Sequence, residues 1–376
     1  MNKKFTVIQV LPSLESGGVE RGTLEVGKFL IKKGHRSIVI SSGGRMVNRL
    51  INEGSEHVDL SVGKKSLLTI FLIPFLVKFI KKNKVDIVHV RSRFPAWIFF
   101  IALKFIPKNR KPSFITTFHG QYSVNTYSAI MAKGDLVIVI SKMIKKYVLS
   151  NYKIDREVIR LNYRGIDPAD NYLFYNPSKV WLEKWHTRYP FIKTKIVITL
   201  PARVTRWKGQ EDFIDLIAQL KVVFPNIHGL VVGETKKGKE YFLDELRNKA
   251  NNLGVIKDIT FTGHRSDIKN IMAISKIVFS LSKQPEAFGR VSLESLSMGI
   301  PVIAYSHGGV KEQLQKLLPS GLVTLNNKEL LFQKAKDFIL NPPVLQKNSY
   351  FLLDNMLKNT LNIYIEAQEK INKESN

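Results

Sequence analysis

The feature that most restricts the fold of this chain is a repeated alternation of short β-branched runs with helical stretches. Runs at 5–10, 37–41, 86–90, 114–118 and 135–140 form one series, and runs at 195–200, 227–232, 259–262, 276–280, 301–305 and 321–325 form a second. Several are near-continuous Val and Ile, the pattern of strands buried on both faces. Alternating strand and helix implies α/β domains on parallel sheets, with helices covering them. Between the series lies a polar stretch, 166–190, with Asp167-Pro168 and Asn176-Pro177 and no long apolar run. The expected division is a first domain over 1–168 and a second over 169–348, and 376 residues suit two domains of ~150 residues each. Pro342-Pro343 breaks the chain after the second series, and Leu353, Leu357, Leu361, Tyr364 and Ile371 then recur at helical spacing within 349–376. Ligands of open α/β sheets bind at the carboxyl ends of strands. Functional residues are therefore sought in the loops that follow each run.

Composition excludes several classes. The chain has no cysteine, which removes disulfides, thiolate chemistry and Cys-based zinc or iron–sulfur sites. The first apolar run is too short for a signal-peptide core and reads as a strand. The longest, 67–77, is about half of the ~20 residues that span a bilayer and contains Pro74, so no transmembrane helix is expected. Lys and Arg number 58 against 31 Asp and Glu, a net charge of +27. Residues 1–168 carry 29 basic and 11 acidic residues, so two thirds of the excess lies in the first half. Such a field attracts polyanions: nucleic acid, an anionic membrane or an acidic substrate.

Five constellations stand in the expected loops. Ser16-Gly17-Gly18-Val19-Glu20 follows the first strand; its glycines let a ligand approach the backbone at a helix start, although a tight strand–helix turn explains them equally well. Thr117-Phe118-His119-Gly120 puts a histidine at a strand's carboxyl end, where it is either a proton carrier and donor or a satisfied structural group. Arg203, Arg206 and Lys208 crowd one loop, which is unfavourable unless an anion or acid sits among them; a solvated basic loop is the plainer alternative. Glu286 and Glu294 flank Ala287-Phe288-Gly289-Arg290, placing two carboxylates that can accept sugar hydroxyls around a helix start that can bind phosphate oxygens. Both carboxylates being merely solvated is the alternative. Finally, Gly308-Gly309 joins a strand to a helix.

Taken in order, these residues resemble glycosyltransferase family 4, the retaining group with the GT-B architecture, along nearly the whole chain. The resemblance implies two facing Rossmann-like domains with parallel sheets and a C-terminal helix, 349–376, crossing back to the N-terminal domain. It implies that Gly17 and Gly18 border the donor phosphates, that His119 contacts the transferred sugar, and that Arg203 and Lys208 neutralise a nucleotide diphosphate. It further implies that Glu286 holds hydroxyls of the donor sugar beside the amides of Phe288 and Gly289, and that Glu294 holds the ribose. Thr262-Gly263-His264-Arg265 resembles the turn that contacts the base. Arg91-Ser92-Arg93-Phe94-Pro95-Ala96-Trp97, Thr116-Thr117-Phe118-His119-Gly120 and Tyr127-x3-Met131-Ala132-Lys133-Gly134-Asp135 are similar to lipopolysaccharide core glycosyltransferases, with Arg91 and Arg93 placed to meet phosphates of the acceptor.

The expected reaction is retaining transfer of a hexose from a nucleotide-diphosphate sugar to a glycolipid or lipopolysaccharide acceptor. No Asp-x-Asp motif is present, so no cofactor and no essential divalent metal are expected, with cations replacing the metal. Lys64-Lys65, the apolar run after them, and Lys81, Lys82 and Lys84 read as a peripheral contact with the anionic cytoplasmic face of a membrane, or else as a buried helix with solvated ends. Three other readings remain. A phosphorylase or an epimerase of the same fold would share these motifs. A nucleic-acid-binding protein would share the charge, but no helix-turn-helix, zinc-finger or RNA-recognition signature is present and no nucleic-acid partner is expected.

Overall fold

Among the described residues thirteen short strands form, and all pair in parallel. In the computed structural model, which describes residues 4–15, 17–235 and 238–375, the first seven are β1 (Thr6–Val10), β2 (Arg36–Ser41), β3 (Glu56–Asp59), β4 (Ile87–Val90), β5 (Ser113–Phe118), β6 (Leu136–Val139) and β7 (Ile159–Leu161). The next six are β8 (Ile196–Pro201), β9 (Ile227–Val232), β10 (Ile259–Gly263), β11 (Ile277–Ser280), β12 (Val302–Tyr305) and β13 (Leu322–Val323). The first sheet has the order β3-β2-β1-β4-β5-β6-β7 and the second β10-β9-β8-β11-β12-β13. Central strands are buried along their length: Val7, Ile8, Ile87 and Val88 in one sheet and Ile198, Ile277, Val302 and Ile303 in the other have almost no exposed surface. This is why these segments carry unbroken Val/Ile runs.

β3 and β7 are absent from the sequence expectation, and both are edge strands. β3 reads Glu-His-Val-Asp with exposed ends, and β7 is only three residues long. An edge strand has one neighbour and less surface to bury, so its apolar signal is weak. The run at 67–77 divides into a 3₁₀ turn, Leu67–Phe71, and a helix, Leu72–Lys82, which tolerates Pro74 because it lies in the first turn. Among the described residues no helix is long and apolar enough to cross a membrane.

The chain divides into two compact units, Met1–Arg164 with Asp354–Asn376, and Gly165–Leu353. The sequence placed these divisions at 168/169 and 348/349. Each sheet reverses its strand order once, between β1 and β4 and between β8 and β11. Right-handed crossovers send the chain to opposite faces on either side of such a point, and the loops there part to leave a crevice at the carboxyl edge. The loops after β1 and β4 carry Gly17, Gly18, Arg91 and Arg93; those after β8 and β11 carry Arg203, Lys208 and Glu286.

The last helix, Leu353–Ser375, belongs to the first unit along almost all its length. It is fixed there by polar contacts inside an apolar interface. Tyr364 is fully buried, and its hydroxyl lies 2.7 Å from Nδ1 of His89, itself buried on β4. Gln368 donates to the backbone oxygen of Asp86 at 2.6 Å and to Ser113 Oγ at 3.0 Å. Asn162 donates to Thr360 Oγ1 at 2.9 Å. We predict that Tyr364→Phe, which keeps the ring and deprives His89 Nδ1 of its partner while Nε2 keeps Thr117, lowers the unfolding free energy of the first unit by about 1–3 kcal/mol. A lower urea midpoint with an unchanged slope is the expected reading, and an unmoved midpoint would contradict it.

Candidate active site

In the second unit, three loops meet at the β8/β11 reversal because glycines let their backbones close. Gly209, at φ +79°, caps the helix Gln210–Val223, and a Cβ there would stand 2.1 Å from the Leu281 oxygen. Only glycine fits that approach. Across the same contact Lys283 N donates to Trp207 O at 2.7 Å. The result is that Lys208, at the end of the β8 loop, donates from Nζ to Glu286 Oε1 at 2.7 Å, 78 residues away in sequence. Ser282 Oγ donates to the same carboxylate oxygen. Lys208 and Glu286 are mostly buried, with 13% and 22% of their side chains exposed. Glu286 Oε2 has no partner among the described residues.

The Glu286 loop is pinned from its other side by residues 307–310. His307 Nε2 donates to Ser282 O at 2.6 Å, and Gly309 N donates to Glu286 O at 2.7 Å. Gly308 sits at φ +64°, where a Cβ would press within 2.7 Å of the Glu286 backbone. Gly289, also left-handed, caps the helix Arg290–Ser297 against Val310. Phe288 is buried, and its carbonyl accepts from Gln313 at 2.6 Å. Glu294, one turn into that helix and 8% exposed, accepts from Arg290 Nε at 3.0 Å. The structure thus brings Lys208, Glu286, Phe288, Gly289 and Glu294 to one stretch of the carboxyl edge. Ser282 and His307 were missed from sequence, and the lone signal available was their position directly after β11 and β12.

The other expected residues of this unit are placed differently. Arg203 is exposed, and its guanidinium has no partner among the described residues. Arg206 pairs with Glu245 at 2.8 Å and lies over Phe242. Gly263 ends β10 at φ +71° with open space around its Cα, and His264 beside it is exposed. Arg265 turns back onto Asp267 through two bonds of 2.8 and 2.6 Å, and Asp267 also accepts from Trp181.

In the first unit, the carboxyl edge carries a histidine whose tautomer is determined. Arg164 Nη2 lies 3.0 Å from His119 Nδ1, and a guanidinium can only donate. The ring proton therefore resides on Nε2, which is buried and without a partner among the described residues. A buried donor left unmade costs about 1–3 kcal/mol, so Nε2–H is poised for an acceptor atom of a ligand. Burial above all, then the charges of Arg164 and Arg91, hold the His119 pKa well below its ordinary value. Arg91 is itself 3% exposed and donates to Gln9 Oε1 at 2.5 Å. The expectation of a direct acceptor contact does not match that burial; Arg91 stands as a charge beneath the site. Arg93 is half-buried at the start of the helix Arg93–Lys104. Gly18 opens the helix Gly18–Lys32 with nothing near its Cα, and Gly17 precedes it at φ +149°. Ser16, the first residue of that motif, lies outside the described residues. Arg164 was missed because it is 45 residues from His119 and belongs to no motif.

Among the described residues no group of three or more His, Asp or Glu side chains gathers as a metal site. Two parallel sheets, each with one order reversal, and polar residues gathered at their carboxyl edges are the architecture of the GT-B class. Residues 16–170 match the family described as "Glycosyltransferase Family 4", and residues 183–350 match "Glycosyl transferases group 1". A solved glycosyltransferase from Rickettsia africae is 34% identical, with a TM-score of 0.84 over 97% of this chain and 98% of that one. The chain belongs to glycosyltransferase family 4. Anabaena Alr3699/HepE, solved with UDP and glucose, shares the fold at 20% identity, with a TM-score of 0.74 over 98% of both chains. A phosphatidylinositol N-acetylglucosaminyltransferase subunit of Homo sapiens is 23% identical over 82% of this chain, which spans 62% of that protein's length.

The buried histidines make stability depend on pH. His89 and His119 are held well below the ordinary value, and His228 falls to about 4, each chiefly through burial. The unfolded chain takes up protons as pH falls through ~6.5, while these three rings stay neutral in the folded state. Their contribution to stability is present above that pH and is lost as pH drops toward the folded values. Unfolding free energy should therefore fall between about pH 6.5 and 4. The His119 ring signals in NMR should not titrate near 6.5, and a normal titration there would refute the buried placement of the ring.

Proposed function

We propose that this protein moves a hexose from a nucleotide-diphosphate sugar, with retention at the anomeric carbon, to a glycolipid or lipopolysaccharide core acceptor at the inner face of the cell membrane. The observation that carries the reading is the Lys208–Glu286–Ser282 cluster at the order reversal of the second sheet. A lysine and a carboxylate, both mostly buried, share one edge there with an unpartnered arginine, Arg203. Support for a nucleotide-sugar donor comes from the fold shared with the Anabaena protein bound to UDP and glucose. Support for a lipid-borne acceptor comes from the human relative, a phosphatidylinositol glycosyltransferase by name.

Arg203 and Lys208 take the diphosphate, with the Arg290–Ser297 helix start and the amides of Phe288 and Gly289. On this reading Lys208 exchanges Glu286 for a phosphate oxygen, and the released carboxylate accepts hydroxyls of the donor sugar. Glu294 takes the ribose hydroxyls. With Arg265 committed to Asp267, Gly263 and His264 meet the base. Gly17 and Gly18 border the phosphates, and Nε2–H of His119 donates to an oxygen of the transferred sugar. As the bond between anomeric carbon and phosphate oxygen breaks, charge grows on the leaving diphosphate, and fixed cations stabilise it more than the ground state. The acceptor oxygen bonds to the anomeric carbon from the same face, and its proton passes to the departing phosphate. These cations make an essential divalent metal unnecessary in the proposal.

Lys208→Ala and Glu286→Gln should each reduce turnover by about 10²–10³-fold, or ~3–4 kcal/mol. The assay follows screening of UDP-, GDP- and ADP-sugars, and EDTA should leave the wild-type rate unchanged. Near-wild-type turnover in either variant would sink the assignment of those residues, and metal-restorable loss with EDTA would sink metal independence.

The membrane contact is proposed on the segment 60–85, which holds six lysines and no acidic residue. Ile70, Phe71 and Phe75 expose 48%, 77% and 47% of their surface, beside Lys78, Lys81 and Lys82. Phe105, 64% exposed, lines an apolar groove with Ile73, Pro74, Val77 and those three lysines. Apolar side chains ringed by lysines suit the boundary of an anionic bilayer. The protein should co-sediment with phosphatidylglycerol-containing vesicles and release with added salt. Equal binding to neutral phosphatidylcholine vesicles would remove the electrostatic contact.

A further inference from the structure

Beside His119 the first unit carries a cluster of cations and aromatic rings that the donor chemistry does not use. Tyr122, three residues after His119, places its hydroxyl 3.4 Å from the His119 backbone N–H. The Arg93 guanidinium lies over the Tyr122 ring at 4.9 Å and over the Tyr127 ring at 5.4 Å. Lys65 Nζ lies 5.0 Å from the centroid of that same Tyr127 ring. One Arg93 nitrogen donates to buried Ser128 at 3.1 Å. Neither Arg93 nor Lys65 has a carboxylate partner among the described residues.

The cluster is held rigid although the loop around it is exposed. Tyr147 and Tyr152 both donate to the Tyr122 carbonyl, and Trp97 Nε1 donates to the Tyr127 carbonyl at 2.9 Å. Gln121 and residues 123–126 are solvent-exposed between these anchors. Two like charges lie over one aromatic ring with no carboxylate beside them among the described residues, and Arg93 is held there by Ser128. Such an arrangement is stabilised by an anion that takes hydrogen bonds from both.

We infer that Arg93 and Lys65, both beside the Tyr127 ring, form an acceptor subsite for an anionic sugar, one bearing a phosphate or a carboxylate. This rests on the transferase reading and narrows its acceptor: the hydroxyl that reacts near His119 belongs to a sugar recognised by its charge. It also separates two uses of basic residues in this unit, one for a lipid surface and one for a single charged group.

The test is calorimetric titration of the full chain, with and without UDP, using glucose 6-phosphate, glucuronate, glucose and inorganic phosphate. At least one charged sugar should bind about tenfold or more tightly than glucose with UDP present. The tighter of the two tells phosphate from carboxylate. Lys65→Gln and Arg93→Gln should each remove most of that preference while UDP affinity stays as in the wild type. Lys65 is exposed, so its variant remains informative even where loss of the Ser128 bond unfolds Arg93→Gln. Equal binding of charged and neutral sugars overturns the inference, as does a preference that survives Lys65→Gln or inorganic phosphate binding as well as either sugar. Absence of binding by UDP, GDP and ADP alike would instead overturn the transferase reading itself.

Discussion

Parallel pairing of every strand is the constraint on which the rest of this protein depends. When all strands of a sheet run one way, every carboxyl end lies on a single edge, and every loop that leaves a strand starts there. His119 follows β5, Arg91 and Arg93 follow β4, and Arg164 follows β7. Lys208 follows β8, Glu286 follows β11 and His307 follows β12. Residues separated by 78 positions meet, as Lys208 and Glu286 do, because their strands are neighbours in the sheet. The order reversal then decides which pair of loops has space between it. At β8/β11 the loops close around each other only through Gly209, which admits the Leu281 carbonyl, and through Gly308, which admits the Glu286 backbone.

The central strands were legible in the sequence because full burial on two faces leaves no choice but apolar residues. β3 and β7 were not, since an edge position relaxes that demand: Glu56 and Asp59 can sit at the ends of β3 because one side meets water. The site was legible where one short segment carries both the backbone geometry and the chemistry, as from Glu286 to Glu294. It was illegible where a partner comes from elsewhere in the chain. Nothing around Arg164 announces that its guanidinium sets the tautomer of His119, and nothing around His307 announces that it holds the Ser282 carbonyl. Arg91 shows the converse. Its neighbour Arg93 reaches the surface, but Arg91 points inward to Gln9, because side-chain direction after a strand end depends on packing that spacing does not encode.

The two candidate centres handle charge in opposite ways. In the second unit Lys208 is matched with Glu286, Arg206 with Glu245 and Arg265 with Asp267. The mostly buried Lys208–Glu286 pair compensates both charges at rest, and the proposed reaction exchanges it for ligand contacts: phosphate in place of the carboxylate, neutral sugar hydroxyls in place of the ammonium. Around His119 the balance is different. Burial first, and then the positive charges of Arg164 and Arg91, keep the ring neutral. A neutral Nε2–H can donate without carrying a charge of its own, which suits an uncharged acceptor oxygen.

Counting carries this contrast to the whole first half. Eleven carboxylates within 1–168 cannot pair twenty-nine cations, whatever the side chains do. The surplus must be solvated, spread apart or offered to anions from outside. Arg36–Glu56 and Arg49–Glu53 use part of the supply of acids on the β2–β3 side of the sheet. The segment 60–85 receives none. Self-repulsion of that surplus weakens the folded state at low salt and is relieved by any polyanion that binds. Charge of this kind is therefore a cost to folding that an anionic partner offsets. Its concentration on the unit that holds His119, Arg93 and Lys65, rather than on the unit with the Lys208–Glu286 pair, argues that the anion it awaits comes with the acceptor.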